Sequence, residues 1–205
     1  MRIGIFGGTF DPVHLGHLIM AEQCREQARL DEVRFMPSAQ PPHKQGRVLT
    51  PFEQRREMLE LAIAGHAAFR VSALEQELGG LSYTVRTLAE IHRREPGHEL
   101  FLILGSDCLP DLPSWREPAG ILAQASVLAV ARPGFPVWST SQLCGALEVP
   151  PETQLKLETI EAPLIDIASR DLRRRVAEGR SIRYLVPRAV ECYVAQHGLY
   201  RVATG

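Results

Sequence analysis

The chain has 205 residues, of which 45% are hydrophobic and 23% are charged, and its formal net charge is −1. These values are typical of globular proteins and exclude a disordered or fibrous chain, and the near-zero charge argues against a polycationic nucleic-acid-binding protein. The longest apolar runs have about five residues, whereas a membrane-spanning helix needs roughly 20, so we expect no membrane segment.

The cysteines and the N-terminus favour a cytoplasmic protein. The four cysteines lie far apart and form no C-x-x-C pair, which argues against a disulfide framework and against a zinc finger. The first apolar stretch is short and interrupted by glycines, unlike a secretory signal peptide. The length predicts a single domain over residues 1–205.

Short apolar, β-branched runs alternate with helical segments. In chain order we predict strands at 2–6, 32–37, 69–75, 99–104, 126–131 and 155–162, and helices at 15–29, 51–64, 82–95, 169–179 and 187–198. Thr50, Ser82 and Ser169 are the predicted N-caps of their helices. Residues 133–154 are rich in proline and poor in pattern, which predicts a variable excursion, and residues 169–200 form a C-terminal helical part.

This alternation predicts an α/β fold with a Rossmann-like, doubly wound and mainly parallel sheet that carries helices on both faces. In such sheets, ligands bind beyond the carboxyl ends of the strands. Three segments fall at predicted strand ends, namely residues 7–17, His43-Lys44 and residues 105–107, and Ser169 opens a later helix. Their side chains suit a phosphate-bearing ligand.

Residues 7–17, GGTFDPVHLGH, are the most informative segment. The glycines let backbone amides approach a bulky anion, and the following helix offers unpaired N–H groups and a positive dipole end. His14 and His17 are three residues apart, so on a first helical turn they share one face and can donate to phosphate oxygens. We expect the helix terminus to lower the pKa of a histidine there, and a bound polyphosphate to raise it.

The segment contains the (T/H)xGH signature of the nucleotidyltransferase superfamily, and in full it resembles the bacterial nicotinate-nucleotide adenylyltransferases. The likeness continues through PPHK at 41–44, SYTVRTL at 82–88, GSDCLPDLPSWR at 105–116 and SIRYLVPRAVECYVAQHGLY at 181–200. The family usually has ISSTxIR where this chain has IASRDLR at 167–173. Ser169 and Arg173 match, whereas Ala168 and Arg170 replace a serine and a threonine.

The resemblance implies two binding sites that meet. His14 and His17 are the implied catalytic residues, in contact with the phosphates of ATP. The implied ATP-binding residues are Gly7, Gly8, Thr9, Phe10, Gly105, Asp107, Ser169 and Arg173. The implied mononucleotide-binding residues are His43, Lys44, Tyr83, Thr84 and Trp115.

Within these sets the chemistry separates the roles. A carboxylate repels phosphate, so Asp107 is assigned to the ribose hydroxyls. Arg173, which is positively charged, is assigned to the β- and γ-phosphates. The resemblance assigns His43-Lys44 to the mononucleotide phosphate, the turn at Tyr83-Thr84 to the nicotinate carboxylate, and Trp115 to stacking on the pyridine ring. Each position also has a plainer interpretation as a helix cap, a turn, a core residue or a solvated loop residue.

The implied reaction is transfer of the adenylyl group of ATP to nicotinate mononucleotide, giving deamido-NAD and pyrophosphate. Mg²⁺ is expected to bridge the ATP phosphates, with no dedicated metal site in the protein. Alternatives are the same transfer to nicotinamide mononucleotide or phosphopantetheine, and a nucleotide-binding module without turnover. We expect small-molecule partners, no nucleic acid, no membrane, and a monomer or small homo-oligomer.

Overall fold

The computed structural model describes residues 1–42, 46, 48–148 and 155–201. Its strands are β1 (Arg2–Gly8), β2 (Glu32–Pro37), β3 (Phe69–Val71), β4 (Glu99–Gly105), β5 (Ser126–Val130) and β6 (Leu157–Ile160). Its helices are α1 (Leu15–Gln27), α2 (Phe52–Ile63), α3 (Leu74–Leu78), α4 (Thr84–Arg94), α5 (Pro118–Gln124), α6 (Thr140–Ala146), α7 (Ser169–Ala177) and α8 (Arg188–Gln196). A 3-10 helix, Ser106–Ser114, follows β4 directly. None of the described helices is long and apolar enough to cross a membrane.

The strands form one six-stranded parallel sheet in the order β3-β2-β1-β4-β5-β6. This is the order of a doubly wound Rossmann-like sheet, so the predicted fold class is confirmed. The strand order reverses between β1 and β4, which pair from Arg2↔Glu99 to Ile5↔Leu102. At such a reversal the loops after the two strands run in opposite directions and open a crevice at the carboxyl ends. We call this side of the sheet the carboxyl edge.

Apolar residues on the two faces of the sheet form separate cores. Successive residues of a strand point to opposite faces, and Ile5 and Phe6 of β1 accordingly belong to different apolar clusters. Buried residues of α1, α2, α7 and α8 join the cluster of Phe6, and buried residues of α3, α4, α5 and α6 join that of Ile5. Helices on both faces explain why the central strands are almost continuously apolar.

The three predicted N-caps are wrong, because their polar atoms make tertiary hydrogen bonds instead. Ser82 Oγ accepts from the backbone N–H groups of residues 39 and 40, at 3.0 and 3.2 Å. Ser169 Oγ donates to the Pro12 carbonyl at 2.9 Å. Thr50 does not cap α2 with its side chain; instead, its backbone carbonyl accepts a hydrogen bond from the buried guanidinium of Arg55. The observed N-caps are Pro51, Tyr83 and Ala168.

Two segments differ from the predicted elements. The strand predicted at 69–75 ends at Val71, and the next residues form α3, whose Leu74 is buried in the core. A five-residue helix is too short to show a helical period in the sequence. The excursion predicted at 133–154 contains α6, which begins with a capping box of Ser139 and Gln142. Residues 149–154 lie outside the described residues.

Candidate active site

The connection from β1 to α1 begins with two glycines in different surroundings. A Cβ atom on Gly7 would have no heavy atom within 4 Å, so the backbone there faces open space. A Cβ atom on Gly8 would lie 2.9 Å from Phe10 Cζ, which is closer than such atoms normally approach. Phe10 is 2% exposed and has a φ of 50°, in the left-handed region. Gly7 therefore leaves room for a ligand, while the absence of a side chain at Gly8 lets the Phe10 ring pack against the backbone.

The two histidines stack at the start of α1, so the predicted shared face is confirmed. Their ring centroids are 3.6 Å apart and the rings are inclined by 23°. His17 Nδ1 accepts a 3.2 Å hydrogen bond from the His14 backbone N–H, which leaves the proton of a neutral His17 ring on Nε2. A Cβ atom on Gly16 would lie 3.1 Å from His14 Nδ1, so glycine makes room for the ring.

His14 and His17 differ in exposure and therefore in electrostatics. His14 is 2% exposed, whereas His17 is partly exposed. Burial, and to a smaller extent the nearby positive charge of Arg132, together lower the pKa of His14 to about 3. His14 Nδ1 has no hydrogen-bond partner among the described residues. His14 is thus a neutral ring, and of the two histidines His17 is the one accessible to a ligand.

Arg132, just after β5, connects three parts of the carboxyl edge. Its backbone N–H donates to Ser106 Oγ at 2.8 Å. Its guanidinium donates to the carbonyls of Ile165 and Ile167, at 3.4 and 3.3 Å, in the segment that leads to α7. Its Nε lies 3.9 Å from Asp107 Oδ1. A positive charge therefore lies near both the histidine pair and the carboxylate of Asp107.

Gly105 and Asp107 lie at the end of β4, as the sequence predicted. A Cβ atom on Gly105 would clash with Asp107 Oδ1, so only glycine lets this carboxylate fold back over the strand end. The Asp107 side chain is 41% exposed, which leaves its oxygens available to hydroxyl donors.

The start of α7 contacts the β1–α1 connection. In addition to the bond from Ser169 to Pro12, Arg173 Nη1 donates to the Asp11 carbonyl at 2.6 Å. The Asp11 side chain is 2% exposed and its Oδ1 accepts a 2.7 Å hydrogen bond from the Tyr200 hydroxyl. Residues from two distant parts of the chain, α7 and the C-terminal segment, therefore hold the segment that leads from the glycines to the histidines.

A buried arginine fixes the same connection from the α2 side. Arg55 is 1% exposed, and its guanidinium donates to the carbonyls of Thr9, Ser38 and Thr50, each at 2.8 Å. Three hydrogen bonds from one rigid, planar fork hold the backbone around Thr9 in place. Burial lowers the pKa of Arg55, and the charge of Asp11 opposes that shift.

A cavity of about 510 Å³ opens at the end of β1. Residues from both predicted sets line it: Gly7, Gly8, Thr9, Tyr83, Thr84 and Trp115. Its floor includes side chains of β1 and β4, so the cavity lies in the crevice at the reversal of the strand order. Three of the predicted ATP-binding residues, Gly7, Gly8 and Thr9, thus share one concave site with Tyr83, Thr84 and Trp115 of the mononucleotide set.

Two polar side chains of this cavity come from residues that sequence reasoning missed. The Arg116 guanidinium lies 5.0 Å from the centre of the Tyr83 ring, within cation–π range. Glu75, on α3, is 8% exposed, and its Oε1 accepts a 3.2 Å hydrogen bond from Thr87 Oγ1. Burial raises the pKa of Glu75 above its usual value.

Six of the predicted site residues line the cavity, whereas His14, His17, Phe10, Gly105, Asp107, Ser169 and Arg173 are not among its lining residues, and His43 and Lys44 lie outside the described residues. Sequence reasoning missed Arg55, Glu75, Arg116 and Arg132. Arg132 could have been found, because it follows a strand end as the predicted segments do. Arg55 and Glu75 carry no such signal, since charged residues on helices are usually solvated.

Comparisons with known proteins agree with this fold and identify a family. The sequence model of the cytidylyltransferase-like family matches residues 5–175. Two structures of the Plasmodium falciparum nicotinic acid mononucleotide adenylyltransferase, complexed with APC and with NaAD, superpose with TM-scores of 0.78 and 0.80. Each covers 97% of this chain, and 96% and 97% of its own chain, at 19% identity, which supports the fold. The family match, which covers most of the chain, shows that the protein belongs to the cytidylyltransferase-like family, a class of nucleotidyltransferases.

Curated relatives narrow this class. A probable nicotinate-nucleotide adenylyltransferase of Thermomicrobium roseum is 47% identical over 98% of this chain and 92% of its own length. One of Thermus thermophilus is 46% identical over 98% of this chain and 100% of its own length. The chain belongs to the family of the nicotinate-nucleotide adenylyltransferases.

Proposed function

We propose that the protein transfers the adenylyl group of ATP to nicotinate mononucleotide, forming deamido-NAD and pyrophosphate in NAD biosynthesis. One observation carries this proposal: residues 7–9 line the cavity of Tyr83, Thr84 and Trp115, and the same connection then runs into the histidine pair. A phosphate held at His17 would therefore lie along the same β1–α1 connection that borders the cavity. The relatives named for this activity, and the NaAD complex of the Plasmodium falciparum enzyme, support it.

ATP is assigned to the side of the site that carries the histidines. Backbone amides after β1 and at the start of α1 suit its phosphates, because they are donors at a positive helix end. Arg173 and Ser169 contact the connection at Asp11 and Pro12, which supports a phosphate role for the start of α7. Asp107, at the end of β4, is assigned to the ribose hydroxyls.

Nicotinate mononucleotide is assigned to the cavity. Trp115 offers a flat apolar face for stacking on the pyridine ring, and the start of α4, where Tyr83 and Thr84 line the cavity, suits the ring carboxylate. The mononucleotide phosphate then points toward residues 7–9. His43 and Lys44 are assigned to that phosphate from the family resemblance alone.

The reaction needs positioning and charge stabilisation more than proton transfer. An oxygen of the mononucleotide 5′-phosphate attacks the α-phosphorus of ATP, the bond from that phosphorus to the bridging β-oxygen breaks, and pyrophosphate leaves with its electron pair. The nucleophile is already anionic, so the main obstacles are repulsion between two anions and the charge that develops at phosphorus. His17 Nε2–H is the candidate donor to that charge.

Enzymes of this class generally act with a divalent metal ion, and we assign Mg²⁺ to this protein. The described residues contain no group of three or more histidine, cysteine, aspartate or glutamate side chains that could hold a metal ion. A magnesium ion that arrives on the triphosphate takes most of its ligands from phosphate oxygens and water, so this site needs few protein ligands. When bound, the ion supplies positive charge to the phosphates.

The small-molecule substrates in this proposal are ATP and nicotinate mononucleotide. The proposed active protein is a monomer or a small homo-oligomer. A cytoplasmic location fits these substrates and the free thiols of Cys24, Cys108, Cys144 and Cys192.

Pyrophosphate release tests the proposal. Purified protein with ATP and Mg²⁺ is given nicotinate mononucleotide, nicotinamide mononucleotide or phosphopantetheine in parallel reactions. We expect the fastest release with nicotinate mononucleotide. Faster release with phosphopantetheine would contradict the assigned acceptor, and no release with any of the three would indicate a binding module.

His17→Ala tests the catalytic assignment. We expect a folded protein whose turnover is reduced on the order of 100-fold or more, the usual effect of losing one transition-state donor. His197→Ala is the matched control, because His197 is exposed at the end of α8, and it should retain turnover. Near-normal turnover of His17→Ala would refute the assignment.

A further inference from the structure

The cavity assigned to the pyridine ring has a buried carboxyl group in its wall. Glu75 lines the cavity although it is only 8% exposed. Its Oε2 is shielded from solvent and has no hydrogen-bond partner of normal length and angle among the described residues. A buried carboxylate normally has each oxygen paired, because an unpaired ionised oxygen is costly in a low-dielectric site. Burial at this place therefore disfavours the ionised form of the Glu75 carboxyl group.

The carboxyl group lies close to the turn assigned to the ring carboxylate. Thr87 Oγ1 is within hydrogen-bond distance of two acceptors, Glu75 Oε1 at 3.2 Å and the Tyr83 carbonyl at 3.3 Å. Tyr83 is the N-cap of α4, and both it and Thr84 line the cavity. One hydroxyl therefore separates Glu75 from the start of this helix. A second negative charge in the cavity would be near that of an ionised Glu75, with little water between to screen it.

Because Glu75 lies in the cavity wall, the charge of the substituent on the pyridine ring affects binding. Nicotinate mononucleotide places a carboxylate on the ring, whereas nicotinamide mononucleotide places an uncharged amide there. A neutral Glu75 tolerates both, but an ionised Glu75 repels only the carboxylate. We propose that Glu75 is a specificity-determining residue that makes the preference for the acid over the amide depend on its protonation: the neutral form admits the acid, and the ionised form disfavours it. This inference rests on the proposed function.

Other charged and titratable groups face the same space. Arg55 of α2 is the cation that acts on Glu75, and its guanidinium is held by three backbone carbonyls. Arg116 and Cys108, from the segment between β4 and α5, line the cavity with Tyr83. Burial raises the pKa of the Glu75 carboxyl, while the nearby hydroxyls of Ser82 and Thr87, the Ala39 backbone N–H and the charge of Arg55 oppose that shift. Burial likewise raises the pKa of the Cys108 thiol to about 12, so that thiol does not titrate in the range of the test.

Linkage fixes the sign of the pH dependence. If the ring carboxylate disfavours ionisation of Glu75, ionisation of Glu75 must weaken binding of the carboxylate by the same factor. The preference for the acid is therefore full at low pH and declines as pH rises through the pKa of Glu75. Coupling of one pKa unit corresponds to about a tenfold change in preference.

The test compares the two pyridine mononucleotides across pH. We measure kcat/KM for nicotinate and nicotinamide mononucleotide, by pyrophosphate release with ATP and Mg²⁺, from about pH 5 to pH 9. Titration of the histidines, the 5′-phosphate and ATP affects both substrates alike, so it cancels in the acid-to-amide ratio. We expect the wild-type ratio to fall by about tenfold with rising pH. Glu75→Gln should keep the low-pH ratio throughout, because glutamine stays neutral.

Glu77→Gln is the matched control, since Glu77 lies on the same helix but is exposed and pairs with Arg94 at 2.7 Å. It should follow the wild-type pH profile. A wild-type ratio that does not change with pH overturns the inference, and so does a Glu75→Gln variant that retains the wild-type decline. If Glu75→Gln fails to fold, the wild-type profile alone decides. Failure of the proposed function is distinguishable, because neither mononucleotide would then support turnover.

Discussion

Loss of the Tyr200 hydroxyl tests how the C-terminal segment stabilises the site. The hydroxyl donates to Asp11 Oδ1 at 2.7 Å, and Asp11 is 2% exposed, so water cannot readily replace the donor. A hydrogen bond to a charged group contributes about 1.5–3 kcal/mol to stability. We expect Tyr200→Phe to lower the free energy of unfolding by about 2 kcal/mol, and Tm by roughly 4–8 °C for a chain of this length.

The expected loss applies across neutral pH. Burial raises the pKa of Tyr200, and the charge of Asp11 raises it further, so the phenol stays a proton donor in this range. Among the described residues, the Thr50 N–H also donates to the Asp11 carboxylate, at 3.3 Å from Oδ2. Because Asp11 also accepts from Arg173 through its carbonyl, we expect the KM for ATP to rise along with the loss of stability.

Urea denaturation, followed by circular dichroism, measures the effect. Tyr193→Phe is the control: it removes the same atom, but the Tyr193 hydroxyl bonds to the exposed Glu57, at 2.5 Å. Exposed polar pairs contribute about 0–1 kcal/mol. Equal losses in the two variants, or no loss in Tyr200→Phe, would refute the argument that burial of Asp11 determines the value of this hydrogen bond.

Two further predictions concern the rings of the site. Trp115→Ala should raise the KM for nicotinate mononucleotide roughly fivefold through lost stacking, with Trp115→Phe intermediate, and an unchanged KM in steady-state assays would remove Trp115 from the pyridine site. The pKa of His14 falls from 6.5 to about 3 on burial, so the unfolded chain binds more protons than the native one between these values. The free energy of unfolding should therefore fall as pH drops from 6.5 toward 3, by up to about 1.4 kcal/mol per pH unit from this residue. Denaturation at several pH values should show a smaller slope for His14→Gln, and an identical slope would contradict the buried, neutral ring.

The sequence predicted the main features of the fold because burial leaves a local pattern. Strands covered on both faces must be apolar along their length, as β4 and β5 are, so their order in the chain could be read directly. The rule that ligands bind at the carboxyl ends of parallel strands then singled out residues 7–17 and 105–107 as candidate ligand-binding segments. The three-residue spacing of the histidines predicted that they share a face, and their rings do stack.

Features that depend on distant parts of the chain were not predictable in this way. Ser82 and Ser169 stand in the sequence where a helix N-cap is expected. Each hydroxyl instead forms a hydrogen bond with a distant segment, at Ala39 and at Pro12, that only the fold brings near. The three-residue spacing of His14 and His17 does not predict any difference between them. In the structure their exposure differs, because packing covers the His14 ring and leaves the His17 ring partly exposed.

The amino-acid sequence alone determined the class of fold, the family, and the segment that carries the histidines, since these depend on hydrophobic period and on contiguous residues. Only the tertiary structure decided that Arg55 holds the backbone at Thr9, that Tyr200 contacts Asp11, and that Glu75 lies in the cavity wall. The physical reason is that a charged residue has the same local pattern whether its side chain faces water or a neighbouring loop. Long-range packing makes that choice, and with it sets the electrostatics of the site.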